Sequence, residues 1–491
     1  MTDISRFGPE LALLIAAGLI VVVDALLPIL GREAWAKRRV ISAVLALAGV
    51  AASFAWSGAL ISADEKGPAF DGMIVIDDFT LFFNFLFTGI AGMIVLASID
   101  FLQKNRFQAE YLALVLAAAS GMMLMAASQD LIMIFVALET QALAFYVLVG
   151  FLKDARSSEA ALKYLLLGAI STALTLYGMA YLFGVSGETS LAGIAQFVST
   201  ADDGSRSALV LAAAFLAAGL GFKMAVVPFQ MWVPDVYEGA PTPVTAYLSV
   251  ASKAAGFAVV MRIFLIALGE GLISSDWANM FAAIAAISMT LGNVMALVQT
   301  NVKRMLGYSS IAQAGTFLIG LAAVAAKDPQ LELGSASVMF FLGTYAFTNL
   351  GAFIAIIAIS NKVGSDKIAD YSGVYKRSPY LALGLAACLI SLTGIPPTAG
   401  FIAKVYVFNA AVSADLIWLA VVGVLNSVIS AYYYLRVVMN MFTGEPEDEA
   451  TFQPSVYLGT AMVISVVGLF AVGLYPNPLI QASEHAAKVF A

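Results

Sequence analysis

Four ionisable side chains stand where the sequence offers them no water. Lys223 lies in Leu216-Ala-Ala-Gly-Leu-Gly-Phe-Lys-Met-Ala-Val-Val-Pro, with no other charge in the stretch. Lys253 and Lys404 lie in similarly apolar runs, and Glu139 is alone in Leu131-Ile-Met-Ile-Phe-Val-Ala-Leu-Glu-Thr-Gln-Ala-Leu. A charge at the centre of a bilayer is costly, so such groups face a bundle interior and mark paths for ions or protons. Lysine suits proton chemistry: its ordinary pKa of about 10.4 moves towards neutrality when an ammonium loses water. A carboxylate at about 7 Å, through an effective dielectric of about 20, offsets that by about 2.4 kcal/mol. Pairing and unpairing Glu139 with Lys223 would thus switch a proton between held and released. Moving one charge across 100 mV costs about 2.3 kcal/mol, so the two energies are comparable.

The elements that position these residues follow from composition. Of the 491 residues, 61% are hydrophobic and 12% charged, with a mean hydropathy of +0.91. Soluble domains run at about 45–50% and about 25%, so the chain reads as a membrane protein with no separate soluble domain. One cysteine, Cys388, and one histidine, His485, exclude an iron–sulfur centre or a bis-histidine haem held by this chain alone. There is no zinc spacing, no disulfide framework and no glycine-rich phosphate loop. The chain is therefore expected to carry no redox cofactor or metal of its own. The N-terminus lacks a basic segment and a small-residue cleavage site, and its first apolar run reads as a retained helix.

A membrane span needs about 20 mostly apolar residues. Fourteen are expected: 9–31, 39–60, 77–101, 108–128, 130–151, 160–184, 207–227, 243–268, 277–299, 304–326, 335–361, 379–411 (bent), 414–441 and 456–477. The longest connection, around 185–206, is polar. On this count 15 basic residues fall on one side of the membrane and 5 on the other (Arg6, Lys66, Arg206, Lys327 and Lys488). That bias places both termini outside the cytoplasm. The other five of 25, Lys163, Lys223, Lys253, Arg262 and Lys404, lie inside or near spans.

Two spans read as broken. Pro228 and Pro234 follow Lys223, while Gly394-Ile-Pro-Pro-Thr-Ala-Gly, containing Pro396 and Pro397, precedes Lys404. Proline removes a backbone donor and clashes with the preceding turn; paired interrupted helices in two halves point to a transporter's working site. Tyr164-Leu-Leu-Leu-Gly-Ala resembles Met339-Phe-Phe-Leu-Gly-Thr at an offset of 175, and Lys223 and Lys404 are 181 apart. Two related halves of five spans each are expected, the second inverted because five is odd. The organisation is then 1–107, an N-terminal three-helix segment; 108–268, the first repeat (helices 4–8); 269–441, the second (helices 9–13); and 442–491, a C-terminal helix and tail.

Other polar residues have plainer readings. Lys163 and Arg262 sit near span ends, where long basic side chains snorkel to the interface. Asp24 stands in an apolar run and is a possible modulator. Asp154 and Glu159 suit caps or loop charges near the cytoplasmic boundary, and His485 reads as incidental in a polar tail. Tyr432, Tyr433 and Tyr434 suit an aromatic belt or helix packing.

The block from Phe222-Lys-Met-Ala-Val-Val-Pro through Val236-Tyr-Glu-Gly-Ala-Pro-Thr-Pro-Val to Ala251-Ser-Lys resembles the antiporter-like subunits of NADH-quinone oxidoreductase, respiratory complex I, and within them the subunit N branch. Sister subunits L and M carry histidines around this block, and here there are none. Leu392-Thr-Gly-Ile-Pro-Pro-Thr-Ala-Gly-Phe-Ile-Ala-Lys is similar to the family's second broken helix, and Ser158-Glu-Ala-Ala-Leu-Lys to its sixth span. The likeness covers essentially the whole chain. It implies an all-α polytopic membrane protein of about 14 helices, with two inverted five-helix repeats each containing a broken helix. It implies proton translocation through Glu139 and Lys223, then Lys253 as relay and Lys404 in the second half, with Lys163 tuning the first pair. FMN, iron–sulfur clusters and quinone are implied in other subunits. The expected partners are the other membrane subunits, including sister antiporter-like subunits, and the lipid bilayer, with no nucleic acid. Two alternatives stay open: a subunit of a multisubunit sodium/proton antiporter, and a non-conducting scaffold whose buried charges fix helix packing.

Overall fold

The structure, a computed structural model, describes residues 3–27, 32–103, 105–269, 272–324, 331–446 and 448–490. Lys104 and Lys327, both counted in the charge bias, lie outside the described residues. Seventeen helices carry the architecture: α1 (Gly8–Leu26), α2 (Arg32–Ser62), α3 (Asp78–Leu102), α4 (Gln108–Ala127), α5 (Leu131–Val149), α6 (Ala155–Ser186), α7 (Asp203–Met224), α8 (Val233–Gly239), α9 (Thr242–Ala267), α10 (Ser274–Leu297), α11 (Val302–Val324), α12 (Leu331–Val363), α13 (Pro379–Thr393), α14 (Ala399–Ser413), α15 (Ile417–Thr443), α16 (Val456–Leu474) and α17 (Asn477–Ala487). Among the described residues, thirteen are long and apolar enough to cross a membrane. The short apolar helices α13 and α14 flank a break and together occupy the bent span expected over 379–411. The chain is a multi-pass membrane protein.

Local chemistry sets the helix starts. Asp77, Asp130, Asp154, Asp202 and Ser455 each accept a backbone N–H in the first turn of the helix that follows, satisfying donors that a helix start leaves open. Asp154 is thus a cap, as its position suggested. Where helices cross closely, small residues make room. Gly292 of α10 and Gly315 of α11 interlock: a Cβ on either would come within 2.6–2.7 Å of a backbone nitrogen of the other helix. The polar connection 185–206 is not purely loop, because Ser190 caps a ten-residue helix, Leu191–Thr200. A two-stranded hairpin, Gly67–Ala69 against Ile74–Ile76, lies between α2 and α3.

Burial sorts the helices into layers. The apolar windows of α9, α11 and α12 are 94% buried, whereas those of α1, α6 and α16 are about one-third buried (33%, 33% and 28%). The first three therefore form the middle and touch protein on all sides; the others face lipid or a partner. That layering places Lys253 and whatever α11 presents to it at the centre of the molecule.

Candidate functional site

Both breaks put a lysine at the carbonyl end of a helix. α7 stops at Met224 because Ala225 adopts the left-handed conformation (φ 62°). Lys223 sits in its last turn, where open carbonyls carry partial negative charge. α13 stops where Gly394 takes φ 90°, a conformation that glycine tolerates without a Cβ penalty. Lys404, in the helix after that break, reaches back and donates from Nζ to the carbonyl of Thr393, the last residue of α13, at 2.8 Å. The breaks are 169 residues apart (225 and 394), against 181 for the lysines. Lys223 precedes its break and Lys404 follows its own, so the two lysines are not equivalent by position. They share the chemical setting, not the place relative to the break. Pro228, Pro396 and Pro397 lie within the interruptions, whereas Pro234 opens α8 as a first-turn proline.

Lys223 is buried, and its Nζ has no hydrogen-bond partner among the described residues. It shares a cavity of about 10 Å³ with Glu139, Ser171, Thr172 and Thr175, close to the smallest space that holds one water. Glu139 accepts from Thr172 Oγ1 at 2.7 Å. The two charges therefore face one cavity without a direct ion pair, and the threonine hydroxyl holds the carboxylate on its wall. Lys404 lines a second cavity of about 10 Å³ with Gln313, Thr344, Tyr345, Thr348 and Ser391.

Lys253 lies between them, 1% exposed. It directly follows a π-helical turn, Leu248–Ser252, an irregularity common at functional sites. Its ammonium donates to Ser310 of α11 twice, to the carbonyl oxygen and to Oγ, the latter at 2.6 Å. One turn further along α11, Gln313 lines the Lys404 cavity and donates to the Leu392 carbonyl at 3.1 Å. On the other side, Ser252 accepts from Gln141 of α5 at 2.7 Å, and a Cβ on Gly256 would touch the Lys223 stem at 3.2 Å. The structure thus strings the half-buried Glu139 and the buried Lys223, Lys253 and Lys404 along one polar row, with Gln141, Ser252, Ser310 and Gln313 in the gaps. Ser310 and Gln313 escape a reading by sequence because serine and glutamine in an apolar helix carry no distinctive signal.

The remaining candidates separate from this row. Lys163 is about half exposed and pairs with Glu159 and Asp235, both at 2.8 Å. Thr172, the partner of Glu139, is nine residues further along α6, or about 13 Å at 1.5 Å per residue, so Lys163 does not reach the Glu139–Lys223 cavity. Asp235 also binds Arg304 at 2.6 Å, and Arg304 and Arg156 both reach Glu238. Partial burial would raise the Asp235 carboxyl, but the hydrogen bonds and charges of Lys163 and Arg304 outweigh it and hold it below the usual carboxylate range. Asp24 is half-buried near the end of α1 and lines neither lysine cavity.

Arg262 does not snorkel. It is fully buried and donates to both carboxylate oxygens of Asp77 at 2.8 Å, to Thr80 at 2.9 Å and to the Ala126 carbonyl at 2.8 Å, over the Phe79 ring. Its charge is neutralised inside the protein, joining the end of α9 to the start of α3. His485 is not in a featureless tail either: it lies in α17, with Nε2 3.2 Å from Asp78. Of the tyrosines, Tyr432 is exposed, while Tyr433 and Tyr434 are buried and bond Asn293 and Ser309. Among the described residues, no group of three or more His, Cys, Asp or Glu could hold a metal ion.

A bundle with two interrupted helices and lysines buried along a polar row is the architecture of an ion-translocating membrane subunit. The chain belongs to the family described as NADH:quinone oxidoreductase/Mrp antiporter, TM, which matches residues 128–430. It is 45% identical to "NADH-quinone oxidoreductase subunit N" of Dehalococcoides mccartyi, over 98% of this chain and 99% of that one. A chain of "Respiratory complex I from Thermus thermophilus with bound Aureothin" is similar at 31% identity and a TM-score of 0.79, covering 96% of this chain and 98% of that one. A chain of the Mrp complex from Dietzia sp. shares the fold (TM-score 0.82, 97% of each chain) at 21% identity.

Proposed function

We propose that this chain is a proton-translocating subunit in the membrane arm of an NADH-quinone oxidoreductase. The observation that carries the reading is the row itself: three buried lysines and one carboxylate, linked by hydroxyl and amide side chains through the most enclosed helices. Lys223 Nζ and Gln141 Oε1 are buried without a protein partner, and buried polar groups require one. Water in the small cavity that Lys223 lines supplies it for Nζ, and the cavity at Lys404 has room for a second; Gln141 lines neither. A proton taken up on the Lys223 amine forms an ammonium that the α7 carbonyl end and Glu139 stabilise. It passes along Lys253 and Ser310, then past Gln313 to Lys404, where the end of α13 receives it. Each step moves one proton and breaks no other bond.

Electron transfer from NADH to quinone, with FMN and iron–sulfur clusters, is assigned to other subunits, since one cysteine cannot ligate a cluster. The partners are neighbouring membrane subunits, sister antiporter-like chains among them. The location is the bacterial inner membrane with both termini on the periplasmic side, as the basic-residue bias favours. The full-length 45% identity supports this over a sodium/proton antiporter subunit, because a neighbour at 21% speaks for fold alone. Two five-helix repeats with the boundaries 1–107, 108–268, 269–441 and 442–491 remain part of the proposal.

The test is substitution within the assembled complex. Lys223→Ala should leave the complex assembled and cut its coupled activity, while Lys223→Arg retains more. Full coupled activity in Lys223→Ala would remove the proton role.

A further inference from the structure

Outside the lysine row, one carboxyl is fully enclosed with no base beside it. Glu10, in the first turn of α1, is 0% exposed. Asn84 of α3, equally buried, donates from Nδ2 to Glu10 Oε1 across a long 3.4 Å. The other polar atom of each group, Glu10 Oε2 and Asn84 Oδ1, is buried without a partner among the described residues.

The charged groups around it are committed elsewhere. Arg6 donates to the carbonyls of Lys66 and Pro68. On α3, Asp78 pairs with Lys66 and His485, and Asp100 lies at the other end of the helix. Just before α3, Asp77 is taken by Arg262. α2 has no charged residue from Val40 to Ser62, and on α4 Glu110 is ten residues from Ser120, the serine that meets the Glu10 backbone. Among the described residues, no base forms an ion pair with Glu10.

An ionised carboxylate sealed without a cation is strongly disfavoured, and such a group neutralises instead. A neutral acid also resolves the two open oxygens at once. With a hydrogen on Oε2 it donates to Asn84 Oδ1, while Oε1 keeps the bond from Nδ2, closing a two-bond ring between acid and amide. An ionised Glu10 leaves two buried acceptors, Oε2 and Asn84 Oδ1, with no donor for either. We infer that Glu10 is a proton-binding site, held as a neutral carboxylic acid by a reciprocal pair with Asn84, on the three-helix segment ahead of the lysine row. A contact line leads from it towards that row: Ser120 Oγ meets the Glu10 carbonyl, neighbouring Gly121 packs on Gln141, and Gln141 donates to Ser252 beside Lys253. The inference does not depend on proton translocation.

Infrared spectroscopy of the full chain in lipid at neutral pH tests it. Subtracting the spectrum of Glu10→Gln should reveal one protonated-acid carbonyl band per chain, sensitive to deuterium exchange. The glutamine amide can form the same two-bond ring, so this variant should fold. If it fails to accumulate, Asn84→Leu decides: the acid band should persist but shift to the frequency of an acid without a hydrogen bond. Loss of a carboxylate band in Glu10→Gln, or no shift of an acid band in Asn84→Leu, overturns the inference.

Discussion

Replacing Lys223 with methionine separates a working charge from a structural one. The Nζ is buried and has no protein hydrogen-bond partner, so the fold bears its desolvation with little return. Replacing a whole buried ion pair by apolar groups of similar volume is often neutral or stabilising by about 1–4 kcal/mol, and Lys223, with no direct ion pair, has no paired partner to strand. Lysine's place at the carbonyl end of α7 offsets part of that, about 0.3–1 kcal/mol. Methionine keeps the unbranched stem and a similar helix propensity. The net expectation for Lys223→Met is therefore stabilisation of about 0–3 kcal/mol. Arg262→Met is the internal comparison: it removes four hydrogen bonds and leaves Asp77 without its base, which costs about 3–5 kcal/mol. Thermal unfolding of the purified complex, read beside NADH-driven proton pumping, measures both. Lys223→Met should unfold at or above the wild-type midpoint and pump poorly; Arg262→Met should unfold earlier. A midpoint for Lys223→Met as low as that of Arg262→Met would show that the lysine holds the fold together and would refute the reasoning.

Three further outcomes follow from the same geometry. Ser310→Ala removes the 2.6 Å hydroxyl bond to Lys253 and leaves the carbonyl; a bond to a charged group is worth about 1.5–3 kcal/mol, so pumping should fall about 10- to 100-fold with unchanged complex abundance on native gels. Gly394→Ala forces a Cβ into a left-handed position, at about 1–2 kcal/mol, and within 2.8 Å of the Lys404 stem; both pumping and the thermal midpoint should drop. Asp235→Asn breaks ion pairs that are about one-third exposed or more, so its stability cost at neutral pH should stay at about 1 kcal/mol or below per pair. Because the folded carboxyl lies below the usual range, that contribution is full above about pH 4 and is lost as pH falls through the lowered value. The wild-type and Asp235→Asn midpoints should therefore converge in acid.

The buried lysines were legible in the sequence because a charge in an apolar run contradicts its surroundings, and prolines beside two of them announced the breaks. What the sequence hid is partnership across distance. Arg262 looks like an interfacial arginine until Asp77, 185 residues away, closes on it. Lys163 looks like a neighbour of Glu139 until Asp235, 72 residues on, draws it off. The π-turn before Lys253 leaves no periodicity to read, since a single extra residue per turn vanishes in a helix buried on every side. The offset of 181 between Lys223 and Lys404 suggested equivalent positions; only the backbone shows that one ends a helix and the other returns to the end of another.

The central claim is that protons cross this chain through the lysine row, and Lys404 is its far station. The most direct measurement is the number of protons pumped per NADH oxidised by inverted membrane vesicles carrying Lys404→Met, compared with wild type at matched amounts of assembled complex. The account predicts a lower ratio, or coupled turnover and pumping lost together, with assembly intact. An unchanged ratio at an unchanged rate would contradict it.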